Sequence, residues 1–194
     1  MWRKRFHVFR MLVGIAVALS LVVGLAPQVR AQINRKPETP GEIKAYFLYN
    51  FAKLTVWPKE AMPGENEPLV LGILGKDPFG KDIDIITGKT VHNRKLVVKY
   101  CSNVEEAKVC HCLFISSSEA NNFQQTLKAL ENTSILTIAE IEGFIQQSGI
   151  INLVAKQKTA SSQTVGFEIN LAAAVKANLK LDTQLLKMAD KVKS

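Results

Sequence analysis

The sequence predicts an α/β fold. The expected architecture is a single domain with a mostly parallel open sheet, helices on both faces and an antiparallel hairpin at one edge. Three observations predict it. Apolar runs of strand length recur at 69–74 (LVLGIL), 112–115 (CLFI) and 135–138 (ILTI). The polarity of 69–74 does not alternate, so both faces of that strand should be buried, as in a parallel sheet, and 112–115 reads as another buried strand. Segments with helix caps separate them at short intervals, the signature of helices covering a sheet.

The elements follow in chain order. Residues 1–10 carry Arg3, Lys4, Arg5 and Arg10 and no acid, and 11–25 is an uncharged apolar run. Pro27 breaks the run, and Val29-Arg30-Ala31 places small residues before a cut between Ala31 and Gln32. That tripartite pattern is a bacterial secretory signal over 1–31 and implies a periplasmic protein. The competing reading is an uncleaved anchor, because nineteen uncharged residues run from 11 to 29; Gly14, Ser20, Gly24, Pro27 and Gln28 weaken that span. Residues 32–41 read as a linker, and 42–194 as the α/β domain.

Thr39-Pro40-Gly41-Glu42 is a capping box with proline at the first helical position. Ile43, Phe47, Phe51 and Leu54 continue at helical spacing, which predicts an amphipathic helix ended by Pro58. After the polar loop 59–68 comes the strand 69–74. Asp77-Pro78 then starts a helix to about Ile86, with Gly88 as its stop. A strand at 96–100, a short helix at 104–107 and the strand 112–115 come next. Ser118 is expected to cap a helix over 119–130. The strand 135–138 and a helix at 141–147 precede two strands, 150–155 and 164–169. The polar stretch 156–163 joins them most simply as a hairpin. Asn170 caps a helix over 171–177, and a last helix is expected over 182–192.

Composition narrows the function. The chain has 25 basic and 17 acidic residues, but five of the basic ones lie in 1–31, which leaves +3 on the remaining 163 residues. The basic balance is therefore mostly a targeting feature and does not point to nucleic acid. A mature chain of this length suits one core.

The motifs with chemical potential are few. Gly72-Ile-Leu-Gly75-Lys-Asp-Pro-Phe-Gly80 sits at a strand-to-helix turn, where phosphates bind. It has neither the dinucleotide spacing nor a Gly-Lys-Ser/Thr ending, and Asp77 would repel a phosphate. Cys110-His111-Cys112 resembles a metal motif, but alternation on a strand would point His111 away from both sulfurs, and no second ligand cluster exists. Ser116-Ser117-Ser118 lacks a nucleophile elbow. No metal, cofactor or catalytic set is expected. Three cysteines in an exported chain leave one odd thiol. The expected pairing is Cys101 with Cys110, around the short helix, with Cys112 as a buried apolar thiol. Lys176, Lys180, Lys187, Lys191 and Lys193 make the C-terminal end basic.

Five ordered segments resemble one family. They are Lys44-Ala-Tyr-Phe-Leu-Tyr-Asn-Phe-Ala-Lys53 with Val56-Trp57-Pro58; Leu74-Gly75-x-Asp77-Pro78-Phe79-Gly80; Cys110-His111-x-Leu113-Phe114-Ile115-Ser116-x-Ser118-Glu119; Gly149-x-Ile151-Asn152-Leu153; and Phe167-Glu168-Ile169-Asn170. The pattern is similar to that of the YfiR/HmsC-like exported bacterial proteins. The resemblance implies a non-enzymatic periplasmic regulator that represses a membrane-bound diguanylate cyclase by binding its periplasmic part, so that cyclic-di-GMP output and biofilm formation fall. It also implies sequestration by an outer-membrane lipoprotein, and members that can form a homodimer. Cys112 stands where the family usually has an aliphatic residue, so the redox behaviour of relatives does not transfer. The alternative is a periplasmic small-ligand-binding module acting on a sensor kinase or transporter, with its pocket at the strand ends where α/β folds bind ligands.

Overall fold

Helix α1 (Pro40–Lys53) opens the domain in the computed structural model, which describes residues 36–194 except 63, 65, 66, 160 and 161. The expected signal segment and the cut between Ala31 and Gln32 lie outside the described residues. Both arms of the capping box form: Thr39 Oγ1 accepts from the Glu42 amide at 3.1 Å, and the Glu42 carboxylate accepts from the Thr39 amide. Thr39 Oγ1 also donates to Asp82 at 2.8 Å, tying the helix start to the neighbouring turn. The buried stripe is Ala45, Leu48, Phe51 and Ala52, while Ile43 stays 36% exposed. The helix also stops earlier than Pro58 would dictate. Leu54 caps it, and the chain goes straight into β1 (Thr55–Val56).

The main sheet has eight strands in the order β10-β8-β7-β6-β5-β2-β4-β3. Its parallel centre is β4 (Arg94–Cys101), β2 (Leu69–Leu74), β5 (Cys112–Ile115), β6 (Leu136–Ala139) and β7 (Ile151–Thr159). The hairpin partner β8 (Ser162–Asn170) runs antiparallel to β7. At the far edge, β3 (Thr90–Val91) turns back on β4. The expected α/β sheet with an antiparallel hairpin is therefore the observed one.

Alternation along the strands splits the core into two layers. Leu69, Leu71 and Ile73 face one side with Cys112, Phe114, Leu136 and Ile138. Leu74 faces the other with Leu113, Ile115 and Ala139. The first layer packs under α1, where Phe51 meets Phe167 edge-on at 4.9 Å between ring centres. The second packs against α2 (Val104–Ala107) and α3 (Phe123–Ala129). Each fully buried Leu, Ile or Phe of this kind contributes roughly 1.5–3 kcal/mol.

Local chemistry corrected several expected elements. The helix foreseen after Pro78 is a 3₁₀ helix at Gly80–Ile85. The helix foreseen from Glu119 begins only at Phe123, because Ser116 caps a short 3₁₀ turn at Ser117–Glu119 first. Of the stretch 141–147 only Ile145–Gln147 is helical, again as a 3₁₀ turn. Asn170 caps α4 (Leu171–Lys176) as expected, its Oδ1 accepting from the Ala173 amide at 3.0 Å. The last expected helix divides. After β9 (Lys180–Leu181), Asp182 caps α5 (Thr183–Met188), and then β10 (Lys191–Lys193) adds to the sheet parallel to β8. The hairpin is therefore not the sheet's edge; β10 is. A second, two-stranded sheet joins β1 to β9. Among the described residues, no helix is long and apolar enough to cross a membrane.

Candidate functional site

Cys101 ends β4, and Cys110 lies just before β5. Between them Asn103 caps α2 by accepting from the Glu106 amide at 3.0 Å, turning the chain back on itself. The turn sets the two sulfurs 3.9 Å apart as free thiols in the second core layer. Gly72 makes room for them. A Cβ there would lie 2.6 Å from the Cys110 sulfur and 2.9 Å from Leu113 Cδ1, so a side chain would displace one of them. Cys112 faces the opposite layer.

Strand alternation had placed Cys110 and Cys112 on one face. It does not reach Cys110, because β5 starts only at Cys112. Burial raises all three thiol pKa values. Cys110, with Cys101 beside it, is pushed up to about 12. Such thiols are protonated at neutral pH and are poor nucleophiles and poor metal ligands. Among the described residues, no group of three His, Cys, Asp or Glu side chains is placed to hold a metal ion.

His111 sits beside this pair and has a structural task. Its Nδ1 accepts from the Val70 amide at 3.0 Å. Its carbonyl accepts from Trp57 Nε1 at 3.3 Å and from the Leu136 amide at 2.9 Å. Burial, and then the charge of Arg94, hold the imidazole below the ordinary histidine range, with Glu67 opposing. A neutral ring is required anyway, because a protonated Nδ1 could not accept from Val70.

The Gly75–Gly80 turn is closed by its own residues. Asp77 takes the Phe79 amide at 2.8 Å and the Gly80 amide at 3.1 Å. Ser118 Oγ takes the Lys76 amide at 2.9 Å. The amides that would have cradled a phosphate are therefore occupied, and Ser118 serves this turn in place of the expected helix cap. Gly75 has a φ of +89°, and a Cβ on it would meet Ser118 Oγ at 2.5 Å.

A cleft of about 450 Å³ opens elsewhere. Its walls come from α3, the 130–135 loop, the turn before β7, the start of α4 and the end of β10. Leu127, Leu130, Ile135 and Ile150 form an apolar floor, each no more than 8% exposed. Lys128, Lys176 and Lys193 stand at the rim with one acid, Glu131, which pairs with Lys176 at 3.3 Å. The frame is braced from beneath. The Ile145 carbonyl accepts from Asn170 Nδ2 at 2.7 Å and from Lys193 Nζ at 3.5 Å, and Thr137 Oγ1 accepts from the Ile150 amide at 3.1 Å. The cleft lies where β6 and β7 begin, whereas α/β sheets usually take ligands at the carboxyl ends of their strands. Sequence reading picked out Lys176 and Lys193 only as part of a basic chain end, and missed Lys128. No local motif could have united them, since they come from three separate elements.

No curated protein matches the chain. Among solved structures it is similar to a conserved domain protein of Vibrio cholerae O1 biovar El Tor, at a TM-score of 0.53 and 13% identity. That match covers 80% of this chain and 60% of the other, and at such identity it shows a shared fold alone. The sequence pattern of the YfiR/HmsC-like proteins matches residues 41–190, which takes in every element from α1 to α5. The chain therefore belongs to the YfiR/HmsC-like family.

Proposed function

We propose that this protein is a periplasmic regulator that binds the periplasmic part of an inner-membrane diguanylate cyclase and holds it in a less active state. The observation that carries the reading is the family match over residues 41–190. The site chemistry is consistent with a protein that binds and does not turn substrate over. The thiols are protonated and buried, the imidazole of His111 is engaged by a backbone amide, and the glycine turn is filled by Asp77 and Ser118.

Repression by binding needs differential affinity for the two states of the target, because equal affinity shifts nothing. A tenfold fall in the active-to-inactive ratio takes about 1.4 kcal/mol of that difference, well within one ordinary interface. Deleting the gene should raise cyclic-di-GMP and surface attachment. Export-competent protein should reverse both, and a version lacking residues 1–31 should reverse neither. Unchanged cyclic-di-GMP in the deletion strain, with the candidate cyclase expressed, defeats the reading.

A further inference from the structure

We propose that the cleft between α3, α4 and β10 is a binding site for a small amphipathic organic anion: a compact apolar body carrying one carboxylate, sulfonate or phosphate group. The proposal is independent of the repressor reading and can fail without it.

Shape comes first. A cavity of about 450 Å³ lies within the range of small-molecule sites, roughly 300–1,000 Å³. The floor then selects an apolar body. Leu127, Leu130, Ile135 and Ile150 offer it no charge and no unmet hydrogen bond, and the polar groups beneath them are satisfied by Thr137 and Asn170.

The rim selects the charge. Three ammonium groups face one carboxylate there, a local excess of two positive charges. Lys128 is in no ion pair among the described residues, and Lys193 spends its contact on a neutral carbonyl. A cationic rim over a low-dielectric floor strengthens attraction to an anion entering from solvent. The same rim opposes a cation, and the floor gives a fully hydrated inorganic ion nothing to bury. The two halves together therefore specify an amphipathic anion.

The probe is 8-anilinonaphthalene-1-sulfonate, which has an apolar ring system and one sulfonate. The full mature chain should bind it saturably at one site. The uncharged parent, 1-anilinonaphthalene, should bind at least tenfold more weakly, and raising the salt should weaken the sulfonate but not the parent. The double variant Lys176→Ala/Lys193→Ala should lose at least tenfold in affinity. Ala173→Trp, which fills the cleft, should abolish binding. Circular dichroism and urea midpoints close to wild type would show that both variants fold.

Equal affinity for the sulfonate and its parent, or full binding by folded Ala173→Trp protein, would overturn the proposal. So would a third result: lysine-dependent binding to phosphatidylglycerol vesicles that the probe does not compete with. That outcome would assign the lysines to a membrane surface.

Discussion

At the scale of single residues, the thiol pair and His111 each make a measurable promise. The sulfurs of Cys101 and Cys110 are 3.9 Å apart, and a bridge needs about 2.0 Å. Bonding requires the sulfurs to approach by about 1.9 Å, and the Cys112 thiol lies on the other side of the sheet. We predict that in an oxidising compartment these two thiols give up two protons and two electrons to a thiol oxidant and form the bridge, with Cys112 left free. Closing so short a loop stabilises the fold by about 2–3 kcal/mol in the chain-entropy account. Peptide mapping without reductant reads the linkage directly, and a 101–112 bridge or two free thiols in periplasmic protein would refute it. His111 governs pH. Its folded-state pKa is depressed by burial, whereas the unfolded ring protonates near pH 6.5. The stabilisation from burying the neutral ring is complete above that value. It is lost as pH falls through 6.5 toward the folded-state value, because the unfolded chain binds the proton first. Urea midpoints should therefore fall between pH 7.5 and pH 5 more steeply in wild type than in His111→Gln. Parallel pH profiles would show that another group sets the slope.

At the scale of elements, the strands divide by how they earn their place. The runs at 69–74 and 112–115 are buried on both faces, so their continuous apolar character announced them. β10 reads Lys-Val-Lys and is exposed throughout, so nothing in its composition marks a strand. Pairing makes it one. Lys191, Val192 and Lys193 lie opposite Glu168, Ile169 and Asn170. Asp190 leads it in by accepting from the Phe167 amide at 3.1 Å, donating to the Phe167 carbonyl at 2.8 Å and meeting Lys156 of β7. The two-residue strands β1 and β9 were illegible for the same reason. Ending the chain after Ala189 should bare the outer edge of β8. Amide hydrogen exchange at 167–170 should rise, and stability should fall by roughly 1–3 kcal/mol, the usual size of a lost network. An unchanged urea midpoint and unchanged exchange would make β10 an ornament of the edge.

At the scale of the whole molecule, fold class was legible and the cleft was not. Class follows from short-range patterns: a cap, an apolar run, a turn. The cleft needs α3, the start of α4 and β10 side by side, and that neighbourhood exists only once the sheet order is known. The same long-range closure has a consequence in time. The eight-stranded sheet is completed by Lys191–Lys193, and Thr55–Val56 find their partners at Lys180–Leu181. The complete sheet must therefore wait until residues 180–193 have been made. Lys193 follows Cys101 by 92 residues, and at ordinary translation speeds of roughly 5–20 residues per second that stretch takes about 5–20 s to arrive. Until the sheet has formed, Cys101 and Cys110 lack the burial that raises their pKa in the folded protein. Afterwards burial shuts them in. An oxidant would reach Cys101 and Cys110 most easily before the sheet closes over them, so the pairing state of the finished protein would record the conditions in which it folded.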